Sequence, residues 1–249
     1  ASEHGVDTLV VEWWSNLGPV KGDNLGLEEG LLKARFLDSI KWCVMWNNPD
    51  NPWNGPWAPK DFLGNVEYWI KNYFALPSYK KHGDGRPIVF TLETTYFTKR
   101  WKPDEFQDAF AKADAMARAA GYPGIYWVAC LHGGGGAFKS DPTAYRQAGF
   151  EESTLYVIAG YDTGGFPAYP ARKAVDYAPT LWGQFTLKSL LPVFCGWGST
   201  KWSGHLGTLA LDFTPELFER HLRDAKAFLD AHGLKRIIID CWNEWGEGE

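Results

Sequence analysis

The stretch Thr214–Trp242, TPELFERHLRDAKAFLDAHGLKRIIIDCW, carries a helix, its stop and a strand in one run. Thr214 is a capping residue, and Pro215 suits a first helical position because it has no N–H to leave unsatisfied. Phe218, Leu222, Ala225 and Leu229 recur at helical spacing before Gly233 ends the segment. Arg236–Trp242 then reads as a short apolar strand. The spacing therefore predicts a helix over Pro215–His232 whose apolar stripe packs on a sheet, with His221 and His232 expected to be solvated on the outer layer.

Working outward, the same alternation repeats along the chain. Strands are expected at Thr8–Trp14, Ile40–Asn47, Pro87–Leu92, Gly124–Leu131, Leu155–Tyr161, Leu191–Trp197 and Arg236–Trp242. Helices are expected at Leu27–Leu37, Lys60–Phe74, Pro103–Ala120, Ala171–Lys188 and Pro215–His232, with a short one at Pro142–Ala148. After Pro103, the residues Phe106, Phe110, Ala113, Met116 and Ala120 share one face, and Gly121-Tyr122-Pro123 is the stop. Strands alternating with longer helices signal parallel βαβ units. The expected fold class is α/β, a (β/α)8 TIM-type barrel in one catalytic domain over residues 1–249. Seven strands are one short of that barrel, and no covering helix follows the last strand. The expectation is a chain lacking its first strand and last helix, a fragment of a longer natural protein. A doubly wound open sheet is the alternative, but no Gly-rich dinucleotide fingerprint follows any strand.

Composition narrows the function. The formal charge of −5, with no Lys/Arg cluster, argues against a nucleic-acid partner. No apolar run reaches the roughly 20 residues that span a bilayer, so no membrane span is expected. Aromatic residues stand out: 14 Trp, 11 Tyr and 15 Phe make up 16% of the chain. An indole either fills a core or stacks on the apolar face of a sugar. Cys43, Cys130, Cys195 and Cys241 each fall in a segment that reads as a buried strand, so no structural disulfide is expected.

In a parallel barrel the site lies at the C-terminal strand ends. Those ends here carry Glu12-Trp13-Trp14, then Trp46-Asn47 with Trp53 in the next loop, then Glu93, then His132 before Gly133–Gly136. Tyr161, Trp197 and Trp242-Asn243-Glu244-Trp245-Gly246-Glu247 follow. Barrel cores favour Val, Ile and Leu, so such a set of carboxylates, amides and indoles points to a polyhydroxylated substrate. For any single tryptophan, core packing is the competing reading. The expected substrate-binding set is Glu12, Trp14, Trp46, Asn47, Trp53, Glu93, His132, Tyr161, Trp197, Trp242, Asn243 and Trp245. The glycine run lacks the Gly-Lys-Ser/Thr of a phosphate loop, and no Gly-x-Ser-x-Gly elbow is present. No metal-ligand spacing appears, so no catalytic metal and no cofactor are expected, although Asp84 and Asp162 in Gly-rich loops leave room for a structural calcium.

Glycoside cleavage needs one carboxyl that donates a proton and one that is ionised. Glu244 and Glu247, three residues apart in a Gly-containing turn beside Trp242 and Trp245, offer two carboxyls whose repulsion and burial would raise one pKa. A pair of exposed loop glutamates is the bland alternative. The segment Trp242-Asn243-Glu244-Trp245-Gly246-Glu247-Gly248 resembles the Trp/Phe-Asn-Glu-Trp-x-Glu-Gly element of glycoside hydrolase family 99, the endo-α-mannosidase-like enzymes, and of the related WbsX-like proteins. Weaker likenesses are Cys43-Val44-Met45-Trp46-Asn47-Asn48, Tyr68-Trp69, Pro77-Ser78-Tyr79, Arg86-Pro87-Ile88-Val89 and Pro192-Val193-Phe194-Cys195-Gly196-Trp197. The resemblance implies a (β/α)8 barrel and retention, with Glu244 as base on the sugar's own 2-hydroxyl and Glu247 as acid toward the leaving oxygen. The sequence departs from that pattern at Glu12-Trp13-Trp14, where the family's strand exit is aromatic, and at Glu93.

The expected function is hydrolysis of a glycosidic bond in a poly- or oligosaccharide, with a carbohydrate substrate as partner, a monomer favoured, and a secreted or periplasmic setting. The alternatives are a WbsX-like glycosyltransferase, for which no nucleotide-binding domain or Asp-x-Asp motif is visible, and a carbohydrate-binding protein without catalysis.

Overall fold

The computed structural model describes residues 2–14, 24–47, 59–92, 103–131, 142–156, 168–184, 188–196, 198 and 209–241. Two compact units make up the chain, one comprising Ala1–Cys130 with Thr143–Glu151, the other Leu131–Pro142 with Glu152–Glu249. Every pairing described between extended strands is parallel, as the βαβ alternation predicts.

In the first unit, β1 (Thr8–Trp14), β2 (Lys41–Asn47), β3 (Ile88–Leu92) and β4 (Tyr126–Leu131) pair in sequence order. Helices α1 (Pro59–Asn72) and α2 (Pro103–Ala119) cover one face, and a short α3 (Pro142–Gln147) follows β4 in the chain. Side chains alternate across a strand, and that parity sorts the tryptophans. Trp13 packs edge-on against Trp69 of α1, while Trp46 packs on Phe62 and Trp69. Trp127 stacks on Phe110 of α2 at 4.3 Å. Such aromatic pairs contribute about 0.5–1.5 kcal/mol each beyond the area they bury. The opposite face therefore carries Glu12, Trp14, Met45, Asn47, Phe90, Leu92 and Val128.

The segment Leu27–Leu37, expected as one helix, is instead broken into a wide turn at Gly26–Gly30 and tight single turns at Leu31–Lys33 and Leu37–Ser39, with Ala34 extended. Gly26 and Gly30 weaken helix propagation, and no side chain caps the turns. What holds the segment is Glu28, which accepts hydrogen bonds from the Tyr68 and Tyr73 hydroxyls, while Tyr73 accepts one from Trp13 Nε1 at 3.1 Å. Burial, and then the bond to Glu28, push the Tyr73 phenol far above its ordinary pKa, so it stays a donor. Asp84, a candidate calcium ligand, instead accepts from Arg86 Nε at 2.8 Å and lies 3.0 Å from His82 Nδ1.

The second unit holds β5 (Glu152–Leu155), β6 (Ala168–Pro170), β7 (Lys188–Ser189), β8 (Leu191–Phe194), β9 (Leu209–Leu211) and β10 (Ile237–Asp240). Strand β5 pairs with β7, β6 with β9, and β10 with β8. Strand β5 lies earlier than the expected Leu155–Tyr161, and residues 157–161 fall outside the described set. Its opening Glu152 is 1% exposed. Arg236 Nη2 donates to both carboxylate oxygens, at 2.7 and 2.6 Å, which makes that burial tolerable. Helix α4 (Ala171–Trp182) ends earlier than expected, at a turn where the Gly183 N–H bonds Pro179 O.

Helix α5 (Pro215–His232) matches its expected bounds. Thr214 accepts from Leu217 N at 3.2 Å, and Gly233 takes a left-handed φ of 66°. His221, expected to be solvated, is instead fully buried. Its ring stacks on Trp182 of α4 at 5.5 Å and meets Phe194 of β8 edge-on at 5.4 Å. Residues 221 and 225 are the two fully buried positions of the helix, so the inward stripe runs through the histidine. All four cysteines are free, Cys43 and Cys130 buried, Cys195 and Cys241 only partly so, just past the ends of β8 and β10.

Candidate active site

The rim of the first unit's sheet is where described site residues meet. Glu12 stands near the end of β1 and Asn47 at the end of β2, both on the face turned away from α1. Asn47 Nδ2 donates to Glu12 Oε2 at 3.4 Å. Glu12 is half-buried and Asn47 7% exposed. Trp14, partly exposed, lies beside Asn47 in the strand register. A carboxylate, an amide and an indole are thus gathered at the C-terminal ends of two parallel strands, where barrel sites are built.

Trp46 does not join them. It is 1% exposed and its ring lies against Phe62 and Trp69, because one residue of strand parity turns it toward α1. Its role is core packing. The remaining expected residues, Trp53, Glu93, His132, Tyr161, Trp197, Trp242, Asn243, Glu244, Trp245 and Glu247, lie outside the described residues. So does Asp162. The Glu244–Glu247 segment follows directly on β10, which ends at Asp240.

One residue that shapes the rim was not anticipated. Asn24, fully buried, donates through Nδ2 to Trp14 O at 2.7 Å and accepts from Trp14 N at 2.9 Å. Its side chain thus satisfies both backbone groups of Trp14 and fixes the strand end that carries the indole. Nothing local in the sequence around Asn24 marks it, since the contact joins residues ten apart. Among the described residues no group of three or more His, Cys, Asp or Glu side chains is placed to hold a metal ion. No described helix is long and apolar enough to cross a membrane.

No protein-family model and no curated protein sequence matches the chain. Solved structures do. The GH99 endo-alpha-mannosidase from Bacteriodes thetaiotaomicron, in complex with BIS-TRIS-Propane, superposes with a TM-score of 0.63 over 99% of this chain and 69% of its own, at 19% identity. A glycoside hydrolase-like protein superposes with a TM-score of 0.61 over 100% of this chain and 74% of its own, at 15% identity. At such identities the likeness shows the fold alone: the chain has an α/β fold of the TIM-barrel class, similar to that of the GH99 structure.

Proposed function

We propose that this chain is a glycoside hydrolase that cleaves a glycosidic bond in a poly- or oligosaccharide with retention of configuration. The observation that carries the reading is the Asn243-Glu244-Trp245-Gly246-Glu247-Gly248 segment, which begins three residues past the end of β10 in a chain with a GH99-like fold. In that fold class the segment after a strand end is the site position.

The chemistry follows from two carboxyls with opposite duties. Glu244 takes the proton of the sugar's 2-hydroxyl, whose oxygen then attacks the anomeric carbon as the exocyclic C–O bond breaks. Glu247 gives its proton to the departing oxygen. A 1,2-anhydro sugar results; Glu247, now ionised, takes a proton from water, the water opens the anhydro ring, and Glu244 returns the proton to O2. Double inversion at one carbon gives retention. Glu12, Asn47 and Trp14 are assigned substrate-binding roles, and the working unit is a monomer in a secreted or periplasmic setting.

The test is reducing-end release from a glycan library by the wild type and by Glu247→Gln. The variant is expected to lose cleavage of unactivated glycosides by about 100-fold or more while keeping ligand affinity by calorimetry. Equal loss of binding and turnover refutes the assignment, and binding without reducing-end release by the wild type identifies a carbohydrate-binding protein instead.

A further inference from the structure

Strands β8 and β10 run parallel, with Leu191 opposite Ile237 and Phe194 opposite Asp240. At the start of the pair the Leu191 N–H bonds the carbonyl of Arg236, the residue before its opposite number. The Cys195 N–H repeats that step on Asp240 O, at 3.2 Å, so the register carries one residue further and sets Cys195 opposite Cys241. The Cys195 side chain agrees. Its Sγ donates to Asp240 O at 3.2 Å and to Cys241 O at 3.4 Å, the carbonyls on either side of the Cys241 Cα. Neighbouring parallel strands lie about 4.7–4.9 Å apart, inside the Cα separation of about 4.4–6.8 Å that a disulfide spans. Cys43 and Cys130, by contrast, are buried, and β3 lies between the strands that carry them.

Cys195 and Cys241 are both partly exposed, so a thiol reagent has access to them. One attacks a sulfur of a small-molecule disulfide, forming a mixed disulfide and releasing one thiol. The second then attacks the protein sulfur of that mixed disulfide and releases the other thiol. The cysteine sulfurs are together oxidised by two electrons, the reagent disulfide is reduced to two thiols, and the protons lost by the cysteines end on those thiols. Oxidation also removes the S–H that donates to Cys241 O. That carbonyl joins Cys241 to Trp242, the first residue of the segment that carries Glu244 and Glu247.

We propose that Cys195 and Cys241 are a reversible disulfide site whose closure, by exchange with a small-molecule disulfide, displaces the segment that follows and lowers activity. The bridge stands on the geometry of β8 and β10; its effect on turnover rests on the glycoside hydrolase reading.

The test is incubation of the native protein in oxidised and in reduced glutathione, followed by alkylation under denaturing conditions, proteolysis and mass spectrometry, with reducing-end release assayed on the same samples. In the oxidised sample Cys195 and Cys241 are recovered as one cross-linked peptide pair and Cys43 and Cys130 as alkylated thiols; reduced glutathione reverses the link. Reducing-end release by the wild type falls by about threefold or more on oxidation and returns on reduction, since misplacing a catalytic group by about 1 Å costs up to about 100-fold. The double variant Cys195→Ser, Cys241→Ser forms no link and cleaves equally in the two buffers; the peptide map is read on the wild type and does not depend on how that variant folds. Recovery of Cys195 and Cys241 on separate alkylated or glutathionylated peptides from the oxidised sample, or a link that takes in Cys43 or Cys130, overturns the site. A link formed with cleavage unchanged overturns its effect on activity. A link formed in a wild type that releases no reducing ends in either buffer refutes the hydrolase reading and leaves the disulfide site standing.

Discussion

Acidification should destabilise this protein through one residue, His221. Its imidazole is fully buried between Trp182 and Phe194, and among the described residues neither ring nitrogen has a hydrogen-bond partner. Burial, with Arg220 adding like charge, pushes its pKa from 6.5 down to about 4. The folded state thus binds fewer protons than the unfolded chain at any pH between those values. Stability is fully present above 6.5 and drains away as the pH falls toward about 4. At about pH 5 the unfolded imidazole is nearly all charged and the folded one nearly all neutral, which costs about 2 kcal/mol; the full loss, about 3 kcal/mol, is reached below about pH 4. For a chain of this size 2 kcal/mol corresponds to a fall in Tm of about 4–8 °C. The assay is urea or thermal unfolding at about pH 7.5 and about pH 5 for the wild type and His221→Phe, which keeps a flat ring against Trp182 but cannot charge. Carboxylates titrate alike in both proteins, so the difference between their two slopes isolates the histidine. The phenylalanine variant should lose about 2 kcal/mol less over that interval; equal losses in the two proteins would refute the reasoning.

Two further substitutions probe the second unit. Arg236→Ala strands the buried Glu152 carboxylate without its charged partner and should lower unfolding free energy by about 3 kcal/mol, read from denaturant midpoints; a loss under about 1 kcal/mol would mean water reaches the carboxylate. Thr214→Ala removes the oxygen that accepts from Leu217 N at the start of α5 and should cost about 1 kcal/mol, whereas Thr214→Ser should cost much less.

Where rules are local, the sequence was read well. Strand β1 and helix α5 have their expected bounds, since alternation, a threonine cap, a proline at the first turn and a closing glycine act within a few residues. The helix expected at Leu27–Leu37 does not form because Gly26 and Gly30 interrupt it, and the segment's anchor is a glutamate bonded to tyrosines some forty residues away. Strand β5 was misplaced because Glu152-Ser153-Thr154 looks exposed until Arg236 is brought to it from the far end of the chain. The site shows the same divide. Glu12 and Asn47 were legible as strand-end residues, but Trp14 and Trp46 are alike in sequence and differ only in which side of the sheet they face. His221 lies on an outer helix, yet it is buried because it sits on that helix's inward stripe, three after Phe218 and four before Ala225.

Asn24 bears on behaviour at high concentration. Among the described residues β1 is the outermost strand of its sheet, and an outermost strand offers unfilled peptide groups to any other chain that arrives extended. By occupying the N–H and the C=O of Trp14 with one carboxamide, Asn24 closes the tip of that strand to such a visitor, at the point where a bulky indole would otherwise make the encounter adhesive. The same asparagine thus keeps the rim in order and fills the peptide groups at the end of β1.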